Sequence, residues 1–280
     1  MIIKRIITGL ILATIVAVLI VLGGIPLVAA ASIVAVLACI EFYRIVRAQG
    51  VQPLSWFGMI FAVLLIVNAY IQQYNVSFLP YPTDFILPLL LSLMVLVPLI
   101  WLLFRSNKDN AFINWGWTLA GILYTGWLLS YYVTIRQMDN GMGWLFLVLS
   151  CTALCDVGAY VVGSNLGKHA MASSVSPGKT WEGAAGGLAF AVITAVILAI
   201  AFQLPLYYWQ MVAAGLITGI FAEIGDLVES LLKRNMHTKD TGSLLPGHGG
   251  FLDRIDSHLL VAPVAYYLIV LVNNQGWLPS

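Results

Sequence analysis

Nine stretches of the chain consist of mostly apolar residues, each about twenty residues long, and this repetition limits the fold more than any other feature. A helix of that length crosses the hydrocarbon core of a bilayer with all its backbone hydrogen bonds made internally. Hydrophobic residues make up 61% of the 280 residues and charged residues only 9%, which is more apolar surface than a soluble core can bury. The sequence therefore predicts an all-α polytopic membrane protein with about nine transmembrane helices. The predicted spans are approximately 6–23, 26–43, 57–73, 85–104, 113–133, 143–163, 183–203, 206–228 and 258–274.

The remaining composition argues against several other classes of protein. A net charge of +1 does not supply the basic face that nucleic-acid binding needs, so no nucleic-acid partner is expected. Cys39, Cys151 and Cys155 lie inside apolar runs and are interpreted as buried small side chains, not as a disulfide framework. Residues 1–24 have a basic start and an apolar run that could form a signal peptide. That run is also long enough to be the first span.

The distribution of basic residues predicts the orientation of the helices. With the N-terminus in the cytoplasm, twelve of the thirteen Lys and Arg residues fall on the cytoplasmic side, and only Arg136 falls outside. Cytoplasmic loops of membrane proteins are enriched in Lys and Arg in this way. We therefore expect the C-terminus outside, and the protein in the plasma (inner) membrane of a bacterium.

Chemically reactive side chains are concentrated in the second half of the chain. Residues 150–260 hold eight of the twelve acids and all four histidines, each in a cytoplasmic loop or in the cytoplasmic half of a predicted span. Residues 1–140 are therefore predicted to be N-terminal transmembrane helices. Residues 141–280 are predicted to be a catalytic transmembrane region with its site at the cytoplasmic face, and the two regions form one integrated membrane domain.

The eighth predicted span carries the first polar cluster. Glu223, Asp226, Ser230 and Lys233 follow one another at intervals of three or four residues, which places them on one face of a helix. Charges at membrane depth are costly and usually mark a functional site or a paired structural one. We expect this face to point into the helix bundle, as part of a site or as a structural ion pair between Asp226 and Lys233.

A pair of carboxylates stands at the entrance to the ninth predicted span. Asp253 and Asp256 are three residues apart, so they converge if the segment is helical. Carboxylates without nearby cysteine or clustered histidine are hard oxygen ligands that suit Mg²⁺. Together with Asp226 they could hold one or two cations, although acids at a helix start also interact favourably with the helix dipole.

The loop between these carboxylates has the composition of a phosphate-binding segment. Lys233, Arg234 and Lys239 supply positive charge. The glycines in the Gly-His-Gly-Gly segment 247–250 permit a nest of backbone N–H groups that binds anions. His248 is then a donor in that nest or an exposed loop residue.

A third polar cluster lies around the sixth and seventh predicted spans. Asp156 is a carboxylate at membrane depth, and Lys179 precedes a helix that is predicted to begin near Trp181. A lysine beside the amides of a helix N-terminus can hold a phosphate. This cluster therefore combines an acid with a phosphate-binding base, as the first two do.

Two short motifs in the same segment are interpreted structurally. The sequence PGKT at residues 177–180 is not a P-loop, because Ser173 stands where that motif needs glycine and no strand is expected before it. Gly183 and Gly187 have the GxxxG spacing, which permits close helix packing.

At these residues the sequence resembles the phosphatidate cytidylyltransferase family, the CDP-diacylglycerol synthases. The family signature is matched by Ser230, Lys233-Arg234, Lys239-Asp240, His248-Gly249-Gly250, Asp253-Arg254 and Asp256. A second family segment is matched by Asp156, Ala159-Tyr160, Ser176-Pro177, Lys179-Thr180 and Glu182-Gly183. So many fixed positions at fixed spacing make the resemblance specific. In detail it covers residues 150–260.

The resemblance implies a reaction at the lipid bilayer in which CTP or dCTP and phosphatidic acid give CDP-diacylglycerol and pyrophosphate, a step of phospholipid biosynthesis. It also implies Mg²⁺ as cofactor, with a second cation that is divalent or K⁺, and a homodimer. The expected catalytic residues are Asp226, Asp253, Asp256, Lys179 and Asp156, and the first three are the expected metal ligands. The expected substrate-binding residues are Ser176, Lys179, Ser230, Lys233, Arg234, Lys239, His248, Gly249, Gly250 and Arg254.

Two other functions stay open from the residues alone. A CTP-dependent polyprenol or lipid kinase would need an alcohol acceptor and a general base, and it would release CDP. A cation-coupled membrane transporter would use intramembrane acids as an ion pathway, near the bilayer midplane and often within an internal repeat. Here the acids lie towards one predicted surface and share their loops with basic residues, which favours nucleotidyl transfer.

Overall fold

The computed structural model describes residues 2–72, 85–105, 108–242 and 250–274, and these residues are mostly helical. The helices are α1 (Ile2–Leu22), α2 (Gly24–Arg47), α3 (Ser55–Ile71), α4 (Ile86–Leu103), α5 (Ala111–Gly121), α6 (Leu128–Gln137), α7 (Gly141–Leu166), α8 (Trp181–Ala201), α9 (Tyr208–Asn235) and α10 (Asp256–Asn274). A π-helix (Ile122–Trp127) connects α5 to α6, and a 3₁₀ turn (Leu252–Arg254) precedes α10.

Seven helical segments among the described residues are long and apolar enough to cross a membrane. They are α2, α4, the continuous Ala111–Gln137 segment, α7, α8, α9 and most of α10. Two shorter apolar segments, Gly9–Leu22 and Ser55–Ile71, overlap the first and third predicted spans. The prediction of a helical polytopic membrane protein is therefore confirmed, and each predicted span overlaps a helix.

The described residues also contain one short β-hairpin, which the sequence did not predict. Strands β1 (Ala170–Ala172) and β2 (Ser176–Thr180) form an antiparallel hairpin between α7 and α8. Thr180 ends β2 and caps α8, because its Oγ1 accepts a hydrogen bond from the Gly183 N–H at 3.1 Å. The helix begins at Trp181 as predicted, so Lys179 stands directly before a helix N-terminus.

The described residues form two compact units. The first comprises Met1–Gln137 and Thr238–Asp253, and the second comprises Met138–His237 and Arg254–Ser280. The segment after α9 therefore belongs with the N-terminal helices, although the stretches directly before and after it belong to the second unit. The predicted division at residue 140 is a statement about function and stays a prediction.

Arg136 joins α6 to the end of α1 in the first unit. Its Nε donates to the Ile20 carbonyl at 2.7 Å and its Nη2 to the Val21 carbonyl at 3.3 Å. Carbonyls in the last turn of a helix have no partner within the helix, so the guanidinium satisfies two of them. Gly23 follows with a φ of 59°, and a Cβ there would lie 2.9 Å from Arg136 Nη2. The one basic residue that is predicted outside thus caps a helix.

In the second unit α7 and α8 approach each other through small residues. A Cβ on Gly187 would lie 2.8 Å from the Cys155 carbonyl oxygen, and one on Gly183 would lie 2.9 Å from the Ala159 carbonyl oxygen. Only glycine allows two helix backbones to come this close. The interpretation of the GxxxG spacing as a packing motif is confirmed.

Candidate active site

Lys179, at the end of β2, joins two acidic residues of α9. Its Nζ lies 2.6 Å from Oε2 of Glu223 and 2.9 Å from Oδ2 of Asp226, and it also donates to the Glu223 carbonyl at 3.3 Å. The Lys179 side chain is only 16% exposed. A charge buried to this degree needs oppositely charged partners and hydrogen bonds, and both carboxylates supply them.

The same two carboxylates keep Lys179 protonated. Burial acts to lower the pKa of the Lys179 ammonium group, because it disfavours the charged form. Attraction by Asp226 and Glu223, together with hydrogen bonds to both, outweighs burial, so the pKa lies above its ordinary value. Lys179 is therefore a cation at neutral pH, able to attract a phosphate but not to accept a proton.

Asp226 also belongs to a group of three carboxylates. One oxygen atom each of Asp226, Glu229 and Asp256 lies within 4.8 Å of the other two. Glu229 is fully buried and forms an ion pair with Lys233, one turn further along α9. Three hard oxygen donors at such separations suit a divalent cation such as Mg²⁺. The residues present therefore fit the metal that the resemblance implies, and Glu229 is a member of the group that was not predicted.

Ser257 connects this group to Asp156 of α7. The Ser257 hydroxyl donates to Oδ1 of Asp156 at 3.3 Å, and its N–H donates to Oδ1 of Asp256 at 2.7 Å. Helices α9 and α10 approach closely here, since a Cβ on Gly225 would lie 2.9 Å from the Asp256 carbonyl oxygen. Four elements, α7, β2, α9 and α10, thus contribute charged side chains to one site. We call it the acidic site, and it consists of Asp156, Lys179, Glu223, Asp226, Glu229, Lys233 and Asp256.

The acidic site is strongly negative. Its five carboxylates against two ammonium groups leave a formal charge of −3 when every group is ionised. Carboxylates that are this close repel one another unless a proton or a cation neutralises part of their charge. The arrangement can therefore bind cations, and with cations it can bind the oxygens of phosphate groups.

One prediction about α9 was wrong. Lys233 and Arg234 were placed in a loop, but α9 continues to Asn235 and both residues lie in its last turn. Lys233 forms an ion pair with Glu229, because residues four apart on a helix are direct neighbours.

Three further predicted residues lie on the elements of the acidic site. The Ser230 hydroxyl donates to Oδ1 of Asp226 at 3.4 Å, which is a long hydrogen bond. Arg234 Nε donates to the Val175 carbonyl in the hairpin at 3.2 Å and so ties the end of α9 to the β-turn. Ser176 begins β2 and is partly buried.

Asp253 and Gly250 belong to the first unit. Oδ2 of Asp253 accepts hydrogen bonds from the Gly250 N–H at 2.8 Å and the Thr241 N–H at 3.2 Å. Asp253 lies in the 3₁₀ turn whereas Asp256 begins α10, so the two aspartates do not share one continuous helix. Asp253 therefore stabilises the segment that carries it, which is a role the spacing did not predict.

The remaining predicted substrate-binding residues are divided between two situations. Lys239 and Arg254 are exposed. His248 and Gly249 lie outside the described residues.

Comparison with known proteins decides the family. The model of the cytidylyltransferase family matches residues 3–272. The chain belongs to this family. The match extends over the N-terminal helices, for which the sequence motifs gave no detail, and the prediction of a nucleotidyltransferase is confirmed.

Several relatives of this cytidylyltransferase carry a more specific name. The phosphatidate cytidylyltransferase of Bacillus subtilis (strain 168) is 32% identical over 269 residues, which is 96% of this chain and 97% of the relative. The phosphatidate cytidylyltransferase of Synechocystis sp. (strain ATCC 27184 / PCC 6803 / Kazusa) is 34% identical over 298 residues, with the same two shares. That of Mycobacterium tuberculosis (strain ATCC 25618 / H37Rv) is 35% identical over 191 residues, covering 64% of this chain and 58% of the relative.

Two acidic residues of this cytidylyltransferase were absent from the predicted site. Glu223 was assigned to the polar face of α9 but not to the site. Its carboxylate lies closer to the Lys179 ammonium than the carboxylate of Asp226 does. Glu229 was not singled out at all. Its spacing contained the signal, since it follows Asp226 by three residues and precedes Lys233 by four, which places it on the same helix face.

Proposed function

We propose that the chain is a phosphatidate cytidylyltransferase, which transfers CMP from CTP to phosphatidic acid and releases pyrophosphate. The observation that carries this proposal is the contact of Lys179 with Asp226, which in turn belongs to the group of three carboxylates. It brings together the two family segments, which are far apart in the sequence. Relatives that match nearly the whole chain bear the same name.

The reaction needs positioning more than acid–base chemistry. A phosphate oxygen of phosphatidic acid forms a bond to the α-phosphorus of CTP, and the bond from that phosphorus to the oxygen bridging it to the β-phosphorus breaks. The electron pair of the broken bond leaves with pyrophosphate. Because the attacking phosphate is already an anion, no residue has to remove a proton from it. Most of the acceleration then comes from holding two anions in line and offsetting their charge.

Lys179 is assigned to hold a phosphate group of a substrate. It is protonated, buried and fixed by two carboxylates, so its ammonium is oriented before a substrate arrives. A phosphate oxygen can take the place of one carboxylate oxygen while the other keeps the side chain in position. The other residues assigned to substrates are Ser176, Ser230, Lys233, Arg234, Lys239, His248, Gly249, Gly250 and Arg254.

Asp226, Glu229 and Asp256 would hold Mg²⁺, with Asp156 next to them and Asp253 as a further ligand assigned by the signature. When bound, the cation would supply positive charge that offsets the negative charge of the two substrates. The formal charge of −3 supports this assignment, because the site without added positive charge would repel both anionic substrates. Five carboxylates can also serve a second cation, divalent or K⁺.

We also propose nine transmembrane helices, with the N-terminus in the cytoplasm, the C-terminus outside and the acidic site at the cytoplasmic face of the plasma membrane. The distribution of Lys and Arg supports this orientation. It is chemically consistent, because CTP arrives from water and phosphatidic acid exposes its headgroup at the same surface. A homodimer is part of the proposal through the family resemblance.

The test uses detergent-purified protein with phosphatidic acid, Mg²⁺ and CTP that carries label on either its α- or its γ-phosphate. Cytidylyl transfer moves the α-label into lipid and releases pyrophosphate. Transfer of the γ-label to an alcohol acceptor with release of CDP would establish a lipid kinase instead. Absence of turnover, combined with cation flux in proteoliposomes, would establish a transporter.

Two variants connect the result to the acidic site. Asp226→Asn removes one carboxylate charge at constant shape and should abolish transfer of the α-label. Asp139→Asn removes the charge of an exposed aspartate outside the acidic site and should retain it. Equal rates for both variants would contradict the assignment of the site.

A further inference from the structure

A buried carboxylate of the N-terminal helices contacts the signature segment within the first unit. Glu41 of α2 is only 1% exposed, although it lies in a mostly apolar helix and outside both family segments. Its Oε2 accepts a hydrogen bond from the Leu252 N–H at 2.7 Å and another from the Thr241 hydroxyl at 3.1 Å. One oxygen atom therefore holds two points of the chain that are eleven residues apart in the sequence.

Thr241 connects Glu41 to Asp253. Its hydroxyl donates to Glu41, whereas its N–H donates to Oδ2 of Asp253 at 3.2 Å. Gly250 lies between the same two carboxylates, since a Cβ at this position would be 2.8 Å from Oδ2 of Asp253 and 2.8 Å from Oε2 of Glu41. The absence of a side chain at Gly250 is therefore a requirement of this packing.

The burial of Glu41 calls for an explanation beyond packing. A carboxylate out of contact with water is costly unless hydrogen bonds satisfy it. Oε2 has two donors, but Oε1 is buried and has no hydrogen-bond partner among the described residues. An apolar side chain of similar size would pack at lower cost, yet it could not accept the Thr241 and Leu252 hydrogen bonds. The carboxylate therefore serves to stabilise the parts of the signature segment that donate hydrogen bonds to it, at Thr241 and Leu252.

We infer that Glu41 is a positioning residue for the cytidylyl transfer proposed above, and that it acts by holding the signature segment around Thr241, Gly250 and Leu252 so that Asp253 keeps its orientation. This inference rests on the proposed function for its catalytic consequence. Its structural part, the anchoring of residues 238–242 and 250–253 by Glu41, can be measured without turnover. It gives the N-terminal helices a direct part in the reaction.

The experiment measures hydrogen–deuterium exchange and steady-state kinetics of the full chain in detergent. In Glu41→Ala, amides of residues 238–242 and 250–253 should exchange about tenfold faster or more, as expected for a loss of about 1.4 kcal/mol. The kcat for cytidylyl transfer should fall at least as much, and the Mg²⁺ concentration for half-maximal activity should rise. Peptides from α7 and α8 should exchange as in the wild type.

Matched variants separate positioning from general damage to α2. Tyr43→Phe removes another buried hydrogen bond of the same helix, from the Tyr43 hydroxyl to the Thr118 carbonyl. It should leave kcat and the amide exchange of residues 238–242 and 250–253 unchanged. Thr241→Val removes the hydroxyl that donates to Glu41, so it should change amide exchange and kcat in the same direction as Glu41→Ala. Thr241→Ser keeps a hydroxyl, and its exchange and kcat should approach those of the wild type. If Glu41→Ala does not fold, the variants Thr241→Val and Thr241→Ser provide the same test of the anchoring.

Each outcome decides the inference. Unchanged exchange of residues 238–242 and 250–253 in folded Glu41→Ala or Thr241→Val would overturn the anchoring. Faster exchange with unchanged kcat and unchanged Mg²⁺ requirement would overturn the positioning role. If the variants exchange as expected but the wild-type protein transfers no cytidylyl group, the proposed function is refuted and the anchoring stands.

Discussion

The ammonium nitrogen of Lys179 and Oε2 of Glu223 lie 2.6 Å apart although 44 residues separate them in the sequence. This contact joins the hairpin before α8 to the middle of α9. Through Asp226 it continues to the carboxylates of Glu229 and Asp256. Lys179 therefore links the two family segments, as the hydrogen bond from the Ser257 hydroxyl to Asp156 also does.

Replacing Lys179 by methionine should remove both activity and stability. The change leaves two carboxylates without their shared cation, which is expected to cost about 3 kcal/mol of unfolding free energy. The rate should fall about 100-fold or more, as for loss of a fixed group that stabilises transition-state charge. Initial rates and thermal unfolding in detergent measure the two effects. Lys168→Met, at an exposed lysine near the hairpin, is the control and should change neither. Full activity of folded Lys179→Met would remove Lys179 from the site.

The alkaline stability of the protein should depend on Lys179. Burial acts to lower the pKa of Lys179, but attraction by Asp226 and Glu223 raises it above the ordinary 10.5. A group whose pKa is raised on folding contributes its full stabilisation below the unfolded pKa and loses it as the pH rises through the folded pKa. The difference in unfolding temperature between wild type and Lys179→Met should therefore be constant from about pH 7 to 10 and shrink at higher pH.

Lys179→Arg provides the comparison for that pH series. Arginine keeps its charge throughout the range. The difference in unfolding temperature between Lys179→Arg and Lys179→Met should therefore not be reduced by deprotonation above pH 10. If the difference in unfolding temperature between wild type and Lys179→Met already vanished below pH 9, the pKa of Lys179 would be lowered. Burial would then outweigh the attraction by the two carboxylates.

Glu229→Gln tests whether Glu229 belongs to the cation site. Removing one of three carboxylates should raise the Mg²⁺ concentration for half-maximal activity by about 10- to 100-fold, the range found when groups around a bound metal are changed. The substitution also removes the ion-pair partner of Lys233, which would by itself lower stability. Both Mg²⁺ titration and thermal unfolding are therefore needed.

The double variant Glu229→Gln/Lys233→Met separates the two effects. It removes both members of the ion pair and should recover part of the lost stability, but the increased Mg²⁺ requirement should persist. The single variant Lys233→Met is the reference for this comparison. If the double variant and Lys233→Met need the same Mg²⁺ concentration, Glu229 acts only as the partner of Lys233 and is not a ligand.

Much of this arrangement could be predicted from the sequence, because it depends on local patterns. Long apolar runs determine the helices, and the start of α8 at Trp181 follows from a threonine before an apolar helix. Charge in an apolar span indicated Asp226, and the two family segments indicated Asp256 and Lys179. Each of these features involves residues that are close in sequence or a motif with a fixed spacing.

What could not be predicted depends on distant contacts or on competition between neighbours. Glu41 and Thr241 are 200 residues apart, and an isolated acid in an apolar helix does not reveal its partner. Lys233 had two acids within reach on the same helix, and the closer Glu229 forms the pair. The hairpin at 170–180 was missed because its strands are short and contain proline and glycine, which are uncommon in strands.

Gly187→Ala should weaken both the fold and the site. The new Cβ would lie 2.8 Å from the Cys155 carbonyl oxygen, a backbone atom that cannot rotate away, so α7 and α8 would have to separate. Overpacking of this kind costs about 1–3 kcal/mol. Because Asp156 is on α7 and Lys179 directly precedes α8, the separation should also lower the rate of transfer. Gly116→Ala is the matched control, since nothing lies within 4 Å of a Cβ there, and it should gain up to about 1 kcal/mol from helix propensity. Equal unfolding temperatures for the two variants would show that the approach of α7 and α8 at Gly187 does not limit stability.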